Sequence, residues 1–149
     1  ILIIHTSWYE EYVSKMLSIS KEILEDFDCT CAVAPGALEL AALAAQKIQD
    51  SSFEGVLFLG IVIKGETSHY DLVTQETFRS ITNLSINNYK LALINNVICV
   101  ENLEQLKNEI FVFTNDSAFK ESQSMGELMQ AAFDYTRKNY ENVSLSDLL

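Results

Sequence analysis

The sequence predicts an α/β protein, a three-layer sandwich in which helices cover both faces of a four-stranded parallel sheet. The first observation behind this prediction is that apolar, β-rich runs alternate with segments of helical periodicity along the chain. The second is that the runs are almost continuously apolar, which is typical of strands buried on both faces. Together they indicate parallel strands joined by covering helices.

The first half of the chain supplies two strand–helix pairs. Residues 2–4 are the visible part of the first strand, and residues 9–26 form an amphipathic helix. The apolar side chains that recur at helical spacing in this helix are Val13, Met16, Leu17, Ile23 and Leu24. Residues 29–34 predict the second strand, which a Pro-Gly pair ends. The Ala- and Leu-rich residues 37–49 then favour a helix.

The second half repeats the alternation. Residues 56–63 form an unbroken apolar run and predict the third strand. Residues 70–87 predict the third helix, and its residues expected to face inward are Val73, Phe78, Ile81 and Leu84. Residues 91–100 predict the fourth strand, and residues 101–108 predict the start of a further helix.

The end of the chain has a mixed pattern. Residues 111–113 are either a short strand or an apolar plug, and residues 115–123 are polar and loop-like. Residues 125–140 return to helical spacing, and residues 144–149 form a short tail. A chain of 149 residues with this alternation predicts a single domain, residues 1–149.

Composition narrows the function classes. The formal net charge of −11 argues against a nucleic-acid partner, because phosphate contacts need clustered Lys and Arg. No apolar run approaches the roughly 20 residues of a membrane-spanning helix, so we expect no membrane partner. The chain opens on a strand-like run at Ile1 without a methionine, so we expect the natural N-terminus to lie outside this numbering, and no secretory signal is visible.

The three cysteines, Cys29, Cys31 and Cys99, do not make a disulfide framework. Their spacing matches neither a C-x-x-C motif nor a zinc site, so we expect no metal. We expect buried thiols in a reducing compartment, and therefore a cytoplasmic protein.

The segment after the third strand carries the clearest functional signal. Gly65 breaks the apolar run, and Ser68 with Asp71 forms an S-x-x-D capping signature, so a helix should begin near His69. A helix start after a buried parallel strand presents free N–H groups and a positive dipole end to an anion. The local pattern leaves two interpretations open: a capped helix with a surface histidine, or proton transfer on a phosphorylated small molecule.

Other aromatic and polar residues also follow predicted strands. Trp8 follows the first strand, residues 35–37 the second, residues 64–69 the third and Glu101 the fourth. Sites in parallel sheets lie beyond the carboxyl ends of the strands. The pattern therefore predicts one shared pocket at that edge of the sheet.

Four blocks of sequence stand out together: Ser7-Trp8-Tyr9, Pro35-Gly36-Ala37-Leu38-Glu39-Leu40, residues 59–71, and Glu101-Asn102-Leu103-Glu104-Gln105. In order and spacing, these blocks resemble the lumazine synthase family, which makes the penultimate intermediate of riboflavin synthesis. The likeness extends over about residues 1–105. It implies a flavodoxin-like α/β fold.

The resemblance also implies a reaction and an assembly. The reaction is the condensation of 5-amino-6-(D-ribitylamino)uracil with 3,4-dihydroxy-2-butanone 4-phosphate to give 6,7-dimethyl-8-ribityllumazine, without a metal or an organic cofactor. The assembly is a homo-oligomer built from pentamers, some of them packed into decamers or shells of sixty subunits, with active sites at subunit interfaces. Riboflavin synthase is a candidate partner.

The same resemblance implies roles for residues of the predicted pocket. His69 would transfer protons, and Trp8 would stack on the flat heterocycle of the substrate, although a Trp that caps the core is the alternative. The residues expected to hold the ribityl chain are Gly36, Ala37 and Glu39. The residues expected to contact the uracil edge through backbone groups are Val62 and Ile63. The residues expected to bind phosphate are Gly65, Glu66 and Thr67.

The last part of the chain departs from the family pattern. The arginine that clamps the substrate phosphate in the family falls on Glu109. The aromatic or aliphatic residue that closes the pocket from a neighbouring subunit falls on Asn95. Lys120 is the one basic residue among residues 115–123 and is our candidate to replace the arginine.

The residues that match the family pattern and those that differ from it leave three possible functions. The first is an active synthase in which Lys120 or another basic group replaces the arginine. The second is a synthase-like protein that binds ligand or assembles with impaired activity, because one amine replaces a guanidinium fork poorly. The third is a general flavodoxin-like module that binds flavin without condensation. We favour the first, because His69, Glu39 and the aromatic residue are retained.

Overall fold

The computed structural model describes residues 1–50 and 52–114 of the 149-residue chain. Four strands alternate with four α-helices along these residues. The strands are β1 (Leu2–Thr6), β2 (Thr30–Ala34), β3 (Gly55–Ile63) and β4 (Ala92–Val100). The helices are α1 (Glu10–Ile23), α2 (Leu40–Asp50), α3 (His69–Asn87) and α4 (Leu103–Thr114), and a 3₁₀ turn, Ala37–Glu39, precedes α2.

The four strands form one parallel sheet in the order β2-β1-β3-β4. Ile4 of β1 lies beside Ala32 of β2 on one side and Phe58 of β3 on the other. At the carboxyl end of the sheet, Ile63 of β3 lies beside Val100 of β4. The predicted four-stranded parallel sheet of a flavodoxin-like α/β fold is confirmed.

Alternate side chains of the strands build two cores, one on each face of the sheet. Leu57 and Leu59 of β3 pack in the core on the side of α1 and α4, whereas Phe58 packs on the side of α2 and α3. The helix residues of the first core include Val13, Met16 and Leu106. Those of the second core include Leu40, Ala44 and Ile81. Helices therefore cover both faces, as predicted.

The prediction of a possible short strand over residues 111–113 is wrong. The helix α4 continues through these residues and ends at Thr114. An apolar run of three residues does not distinguish a strand from a helix, and this run extends a helical spacing that includes Leu106 and Ile110. The helical spacing of the apolar residues therefore predicts the structure of residues 111–113 better than the short apolar run does.

The inward face of α3 agrees with the prediction at Val73, Ile81 and Leu84 and differs from it at Phe78. Phe78 is 43% exposed, whereas Thr77 and Ile81 are fully or almost fully buried. Val73 is partly buried, so the inward line runs at spacings of four residues, and Phe78 lies about 100° away from it. A buried threonine replaces the aromatic residue that the hydrophobic pattern suggested.

Several expectations concern residues outside those described. The loop over residues 115–123, the helix over residues 125–140 and the tail over residues 144–149 fall there, and they stay predictions together with the single domain. Within the described residues, no helix combines the length and the apolar character that crossing a bilayer requires. The described residues also contain no group of three His, Cys, Asp or Glu side chains that could hold a metal ion.

The cysteines are less buried than predicted. All three are free thiols; Cys31 is exposed, and Cys29 and Cys99 are partly buried. Cys31 lies on β2, the first strand in the sheet that the described residues form, and Val33 on the same face is 57% exposed. Burial raises the pKa of the Cys29 and Cys99 thiols above the usual value for cysteine.

We predict that a maleimide reagent modifies Cys31 before Cys99 in the native protein at neutral pH. Cys31 is open to solvent, whereas burial raises the pKa of Cys99 and so reduces the fraction of its reactive thiolate. Timed labelling followed by peptide mass spectrometry measures the order. The control Cys31→Ser should remove the fast reaction, and equal rates in the wild type would show that the edge of β2 is covered in solution.

Candidate active site

The segments that follow the strands meet at one edge of the sheet. Because all strands are parallel, their carboxyl ends point in the same direction. Residues 7–9 follow β1, residues 35–39 follow β2, residues 64–68 follow β3 and residues 101–102 follow β4. The structure thus places Trp8, Glu39 and His69 at the same edge, and we call it the carboxyl edge.

Trp8 is held in place at this edge without being buried. Its indole nitrogen Nε1 donates a hydrogen bond of 2.9 Å to the carbonyl oxygen of Pro35. This bond ties the turn after β1 to the turn after β2. The residue nevertheless remains 64% exposed, so it does not cap the core of the described chain. It presents a fixed aromatic surface to solvent, which suits stacking on a flat ligand.

Tyr9 has an unusual backbone conformation beside Trp8. Its φ of 55° and ψ of 47° lie in the left-handed region, and it is the non-glycine residue with positive φ among the described residues. Such a conformation costs a non-glycine residue roughly 1–3 kcal/mol. The Tyr9 carbonyl accepts hydrogen bonds from the N–H groups of Tyr12 and Val13 at 2.9 and 3.1 Å, which starts α1. The residue type does not indicate this conformation, because neither Gly nor Asn occupies position 9.

The turn after β2 depends on a glycine for close packing. A Cβ atom at Gly36 would lie 2.9 Å from Oε2 of Glu39, so a side chain there would displace the carboxylate. The N–H of Glu39 donates to the carbonyl of Gly36 at 3.3 Å, which closes the 3₁₀ turn that contains Ala37. The turn lies against α3. Glu39 itself is exposed, so its carboxylate is available to a polar ligand.

Val62 and Ile63 are the last two residues of β3. Val62 packs against the core on the side of α2 and α3, and Ile63 packs against the core on the side of α1 and α4. Both side chains are only partly buried. Their position at the end of the strand puts their backbone at the carboxyl edge.

The turn over residues 65–67 is open. Gly65, Glu66 and Thr67 are all exposed. A Cβ atom at Gly65 would meet no atom within 4 Å, and Gly65 does not have positive φ, so neither space nor strain within the described chain explains the glycine. The side chain of Glu66 forms no hydrogen bond or ion pair within the described chain. The turn therefore has room for a ligand or a neighbouring subunit.

The helix α3 begins at His69, as predicted, but its cap differs from the prediction. The Ser68 side chain forms no capping hydrogen bond, because the Ser68 backbone is already helical, with φ −66° and ψ 0°. The N–H of Asp71 donates to the Ser68 carbonyl at 3.1 Å, and the N–H of His69 donates to Thr67 Oγ1 at 3.4 Å. The imidazole of His69 is exposed and has no hydrogen-bond partner within the described part of the chain.

A charged pair that the sequence analysis did not assign joins the ends of β3 and β4. Lys64 Nζ lies 2.8 Å from Oε2 and 3.1 Å from Oε1 of Glu101. The same ammonium lies 5.9 Å from the ring centroid of Tyr70, the second residue of α3. The hydrogen bond with Glu101 raises the pKa of Lys64 above its usual value. Burial, together with the charges of Cys99 and Glu101, raises the pKa of Tyr70.

Asn95 lies apart from the carboxyl edge within its own chain. It is in the middle of β4, in register with Phe58, and its Oδ1 accepts a hydrogen bond of 3.1 Å from the N–H of Val97. It lies five positions before Val100, the last residue of β4, which corresponds to about 17 Å at the rise of a strand. Asn95 therefore lies on the last strand in the sheet that the described residues form, away from the other predicted site residues.

Two predicted positions cannot be placed beside these residues. Lys120 lies outside the described residues, and only the backbone of Glu109 is described, within α4. A cavity of about 390 Å³ lies at the opposite edge of the sheet. Its lining residues are Ile48, Gln49, Asp50, Ser52, Phe53, Asn88, Lys90 and Leu91. None of the predicted site residues belongs to that cavity, so the candidate site is the open carboxyl edge.

The arrangement as a whole suits a flat ligand that carries an anionic group. Trp8 offers an aromatic surface, the turn over residues 65–67 leads into a helix N-terminus, and His69 supplies an imidazole, a side chain suited to acid–base chemistry. Glu39 offers a carboxylate for hydroxyl groups. These features belong to three different segments, after β1, β2 and β3, that the parallel sheet brings to one edge.

Comparison with known proteins identifies the family. The profile described as 6,7-dimethyl-8-ribityllumazine synthase matches residues 1–137. The chain is 35% identical over 112 residues to 6,7-dimethyl-8-ribityllumazine synthase 1 of Rhizobium meliloti (strain 1021), an alignment that covers 70% of this chain and 72% of the relative. It is 34% identical over 103 residues to the synthase of Methylobacterium radiotolerans, covering 68% of this chain and 62% of the relative.

A third relative gives a similar result. The synthase of Bdellovibrio bacteriovorus is 37% identical over 106 residues, which cover 69% of this chain and 58% of the relative. The alignments with the second and third relatives thus span less than two thirds of those proteins, while the family profile spans most of this chain. The chain belongs to the 6,7-dimethyl-8-ribityllumazine synthase family.

Proposed function

We propose that this protein condenses 5-amino-6-(D-ribitylamino)uracil with 3,4-dihydroxy-2-butanone 4-phosphate to give 6,7-dimethyl-8-ribityllumazine, as a transferase of riboflavin biosynthesis. The observation that carries the proposal is the position of His69, which begins α3 directly after an open turn, at the edge that also holds Trp8 and Glu39. The test is an assay of the purified full chain with both substrates. Lumazine fluorescence and released phosphate should rise together, one for one.

The proposed reaction proceeds without a metal or an organic cofactor. The 5-amino group of the uracil substrate attacks the ketone and forms an imine with loss of one water, and phosphate is then eliminated. The ribitylamino nitrogen attacks the remaining carbonyl, and loss of a second water closes the ring. Holding two reactants in one site can contribute several kcal/mol, up to about 7–11 in good cases. The protein therefore needs mainly to position the substrates and to supply one group that moves protons.

Each residue of the carboxyl edge has a proposed role. Trp8 stacks on the heterocycle, and the residues that hold the ribityl chain are Gly36, Ala37 and Glu39. The backbone groups that contact the uracil edge are those of Val62 and Ile63. The phosphate is bound by backbone N–H groups of Gly65, Glu66 and Thr67, because a helix N-terminus attracts anions. The carboxylate of Glu66 points away from that phosphate in this proposal.

We place His69 at the proton transfers. Imidazole accepts and donates protons near neutral pH, and the exposed position of His69 at the start of α3 leaves its ring free to reach a substrate. The relatives reported above are named as synthases, which favours this active enzyme over a ligand-binding or assembly protein with impaired activity.

We also propose that the protein acts as a homo-oligomer, built from pentamers, with sites at subunit interfaces. The exposed Trp8 and the position of Asn95 on the edge strand β4 support this proposal, because each leaves a surface for a neighbour. Light scattering on the assayed sample measures the mass. The cytoplasm as the compartment, and riboflavin synthase as a partner, belong to the same proposal and rest on the reaction class and the free thiols.

His69→Ala should lower kcat by roughly ten- to a thousandfold, because acid–base assistance is lost while the positioning of the two substrates remains. The KM values should change less than kcat. Steady-state kinetics measures both, and added imidazole should restore part of the turnover. The control Gln75→Ala changes an exposed residue of the same helix and should behave as the wild type. Unchanged kcat in His69→Ala would remove this residue from the mechanism.

Trp8 should report ligand binding, because it is the only tryptophan of the chain. Stacking of the lumazine product should quench its fluorescence. Trp8→Phe keeps a stacking ring but loses the bond to Pro35, so we expect an affinity loss of up to about tenfold, the effect of one hydrogen bond. Trp8→Ala should lose more. Titration followed by the lumazine's own fluorescence compares the variants, and equal affinity in all three proteins would exclude a stacking role.

Lys120→Ala should raise the KM for the phosphorylated substrate several-fold and leave binding of the ribityl substrate unchanged. The reason is that Lys120 is proposed to supply the charge that the family's arginine supplies, although one ammonium lacks bidentate geometry. Steady-state kinetics with each substrate varied in turn gives both constants. Glu109→Arg is the matched gain of function and should tighten phosphate binding. If Lys120→Ala changes neither constant, another group binds the phosphate.

A further inference from the structure

Lys64 and Glu101 form a connection between two strands at the point where the strands end. The paired residues Ile63 and Val100 are the last of β3 and β4, and the N–H of Lys64 donates to the Val100 carbonyl at 2.9 Å. The side chains then meet at 2.8 and 3.1 Å, with both carboxylate oxygens of Glu101 on one ammonium. The sheet is thus extended by one backbone bond and one ion pair.

The Glu101 end of this connection is anchored by α4. The N–H of Glu101 donates to Gln105 Oε1 at 2.7 Å, and the N–H of Gln105 donates to Asn102 Oδ1 at 3.0 Å. These two bonds cap the first turn of α4 and fix the backbone of Glu101. Leu106, one residue further along the helix, is fully buried in the core. Glu101 is therefore attached to a part of the fold that is well packed.

The Lys64 end leads directly into the open turn and into α3. The residues between Lys64 and His69 are exposed, and their hydrogen bonds within the described chain are local, from Asp71 to Ser68 and from His69 to Thr67. The ammonium of Lys64 also lies over the ring of Tyr70, the residue after His69. The contact between Lys64 and Tyr70 thus joins the start of α3 to the ends of the strands.

We propose that Lys64 and Glu101 are positioning residues, whose pair holds residues 65–68 and the start of α3 so that His69 and the phosphate-binding N–H groups face one substrate. This inference rests on the proposed function. Neither residue needs to touch the substrate. Both act through the backbone of the turn and through Tyr70.

The exposure of the Lys64–Glu101 pair favours a positioning role over a role in global stability. The side chains of Lys64 and Glu101 are 44% and 55% exposed, and ion pairs as exposed as this contribute little to global stability. The hydrogen bond with Glu101 raises the pKa of Lys64, so it favours the charged form that the ion pair requires. Loss of the pair should therefore change the turn and the rate while the fold keeps its melting temperature.

The experiment uses the full chain and the variants Lys64→Met, Glu101→Gln, the double variant and Lys64→Arg. Each of the two single variants should lower kcat by about three- to thirtyfold, and the double variant should be no worse than either, because both changes remove the same interaction. Lys64→Arg should retain most of the activity, since a guanidinium also binds a carboxylate with two hydrogen bonds. Lys15→Met is the matched control, because Lys15 pairs with Glu11 at 3.2 Å and lies over a tyrosine ring on α1.

Hydrogen exchange of the amides of residues 65–70 gives a readout that does not need activity. Exchange there should become faster in Lys64→Met and Glu101→Gln and stay unchanged in Lys15→Met. If the wild type is inactive, the proposed function fails and the exchange rates still decide the inference. Additive losses in the double variant would overturn the inference. So would a loss in Lys64→Met alone, which would mean that Lys64 contacts the phosphate directly, and so would unchanged exchange in both single variants.

Discussion

The parallel alignment of β3 with its two neighbours is the constraint on which the rest of the structure depends. β3 pairs with β1 on one side and β4 on the other, and its side chains enter the cores on both faces. Because the strands are parallel, every strand ends at the same edge, so the four functional segments converge there. A shift of β3 by one residue would exchange its two sets of buried side chains between the cores and move Lys64 away from Glu101.

The sequence predicts this architecture well because the relevant signals are local. Continuous apolar strands, a Pro-Gly break after β2 and helical periodicity between strands each reflect a physical requirement of a covered parallel sheet. The errors concern features that depend on the surroundings. Cys31 is exposed because β2 is an edge strand, and nothing near Cys31 in the sequence reveals which strands are edges. Phe78 is exposed because the position of α3 against the sheet selects Thr77 instead.

The candidate site likewise has features that the sequence predicts and features that only the folded structure reveals. The positions of Trp8, Glu39 and His69 at one edge follow from the order of the elements, so the sequence predicts them. The hydrogen bond from Trp8 to Pro35 and the ion pair from Lys64 to Glu101 join residues 27 and 37 positions apart, and only the folded sheet brings them together. The left-handed Tyr9 has no signal in the sequence, because the residue type does not favour that conformation. The roles of the individual site residues remain proposals.

These two long-range contacts show how the turns of an exposed sheet edge can be held in fixed positions. A site at the end of a parallel sheet consists of turns, and turns have few buried side chains to hold them. Here each of two turns is tied by one side chain to the segment that follows the neighbouring strand, Trp8 to the turn after β2 and Lys64 to the residue after β4. These contacts orient the turns but leave their surface exposed, and an exposed surface neither excludes water nor encloses a ligand.

The net charge of −11 gives the chain little overall attraction for a phosphate, so local N–H groups and a nearby cation must supply that attraction. A neighbouring subunit that covers the carboxyl edge would meet both needs at once, since it would add walls to the site and could bring a basic group to the phosphate.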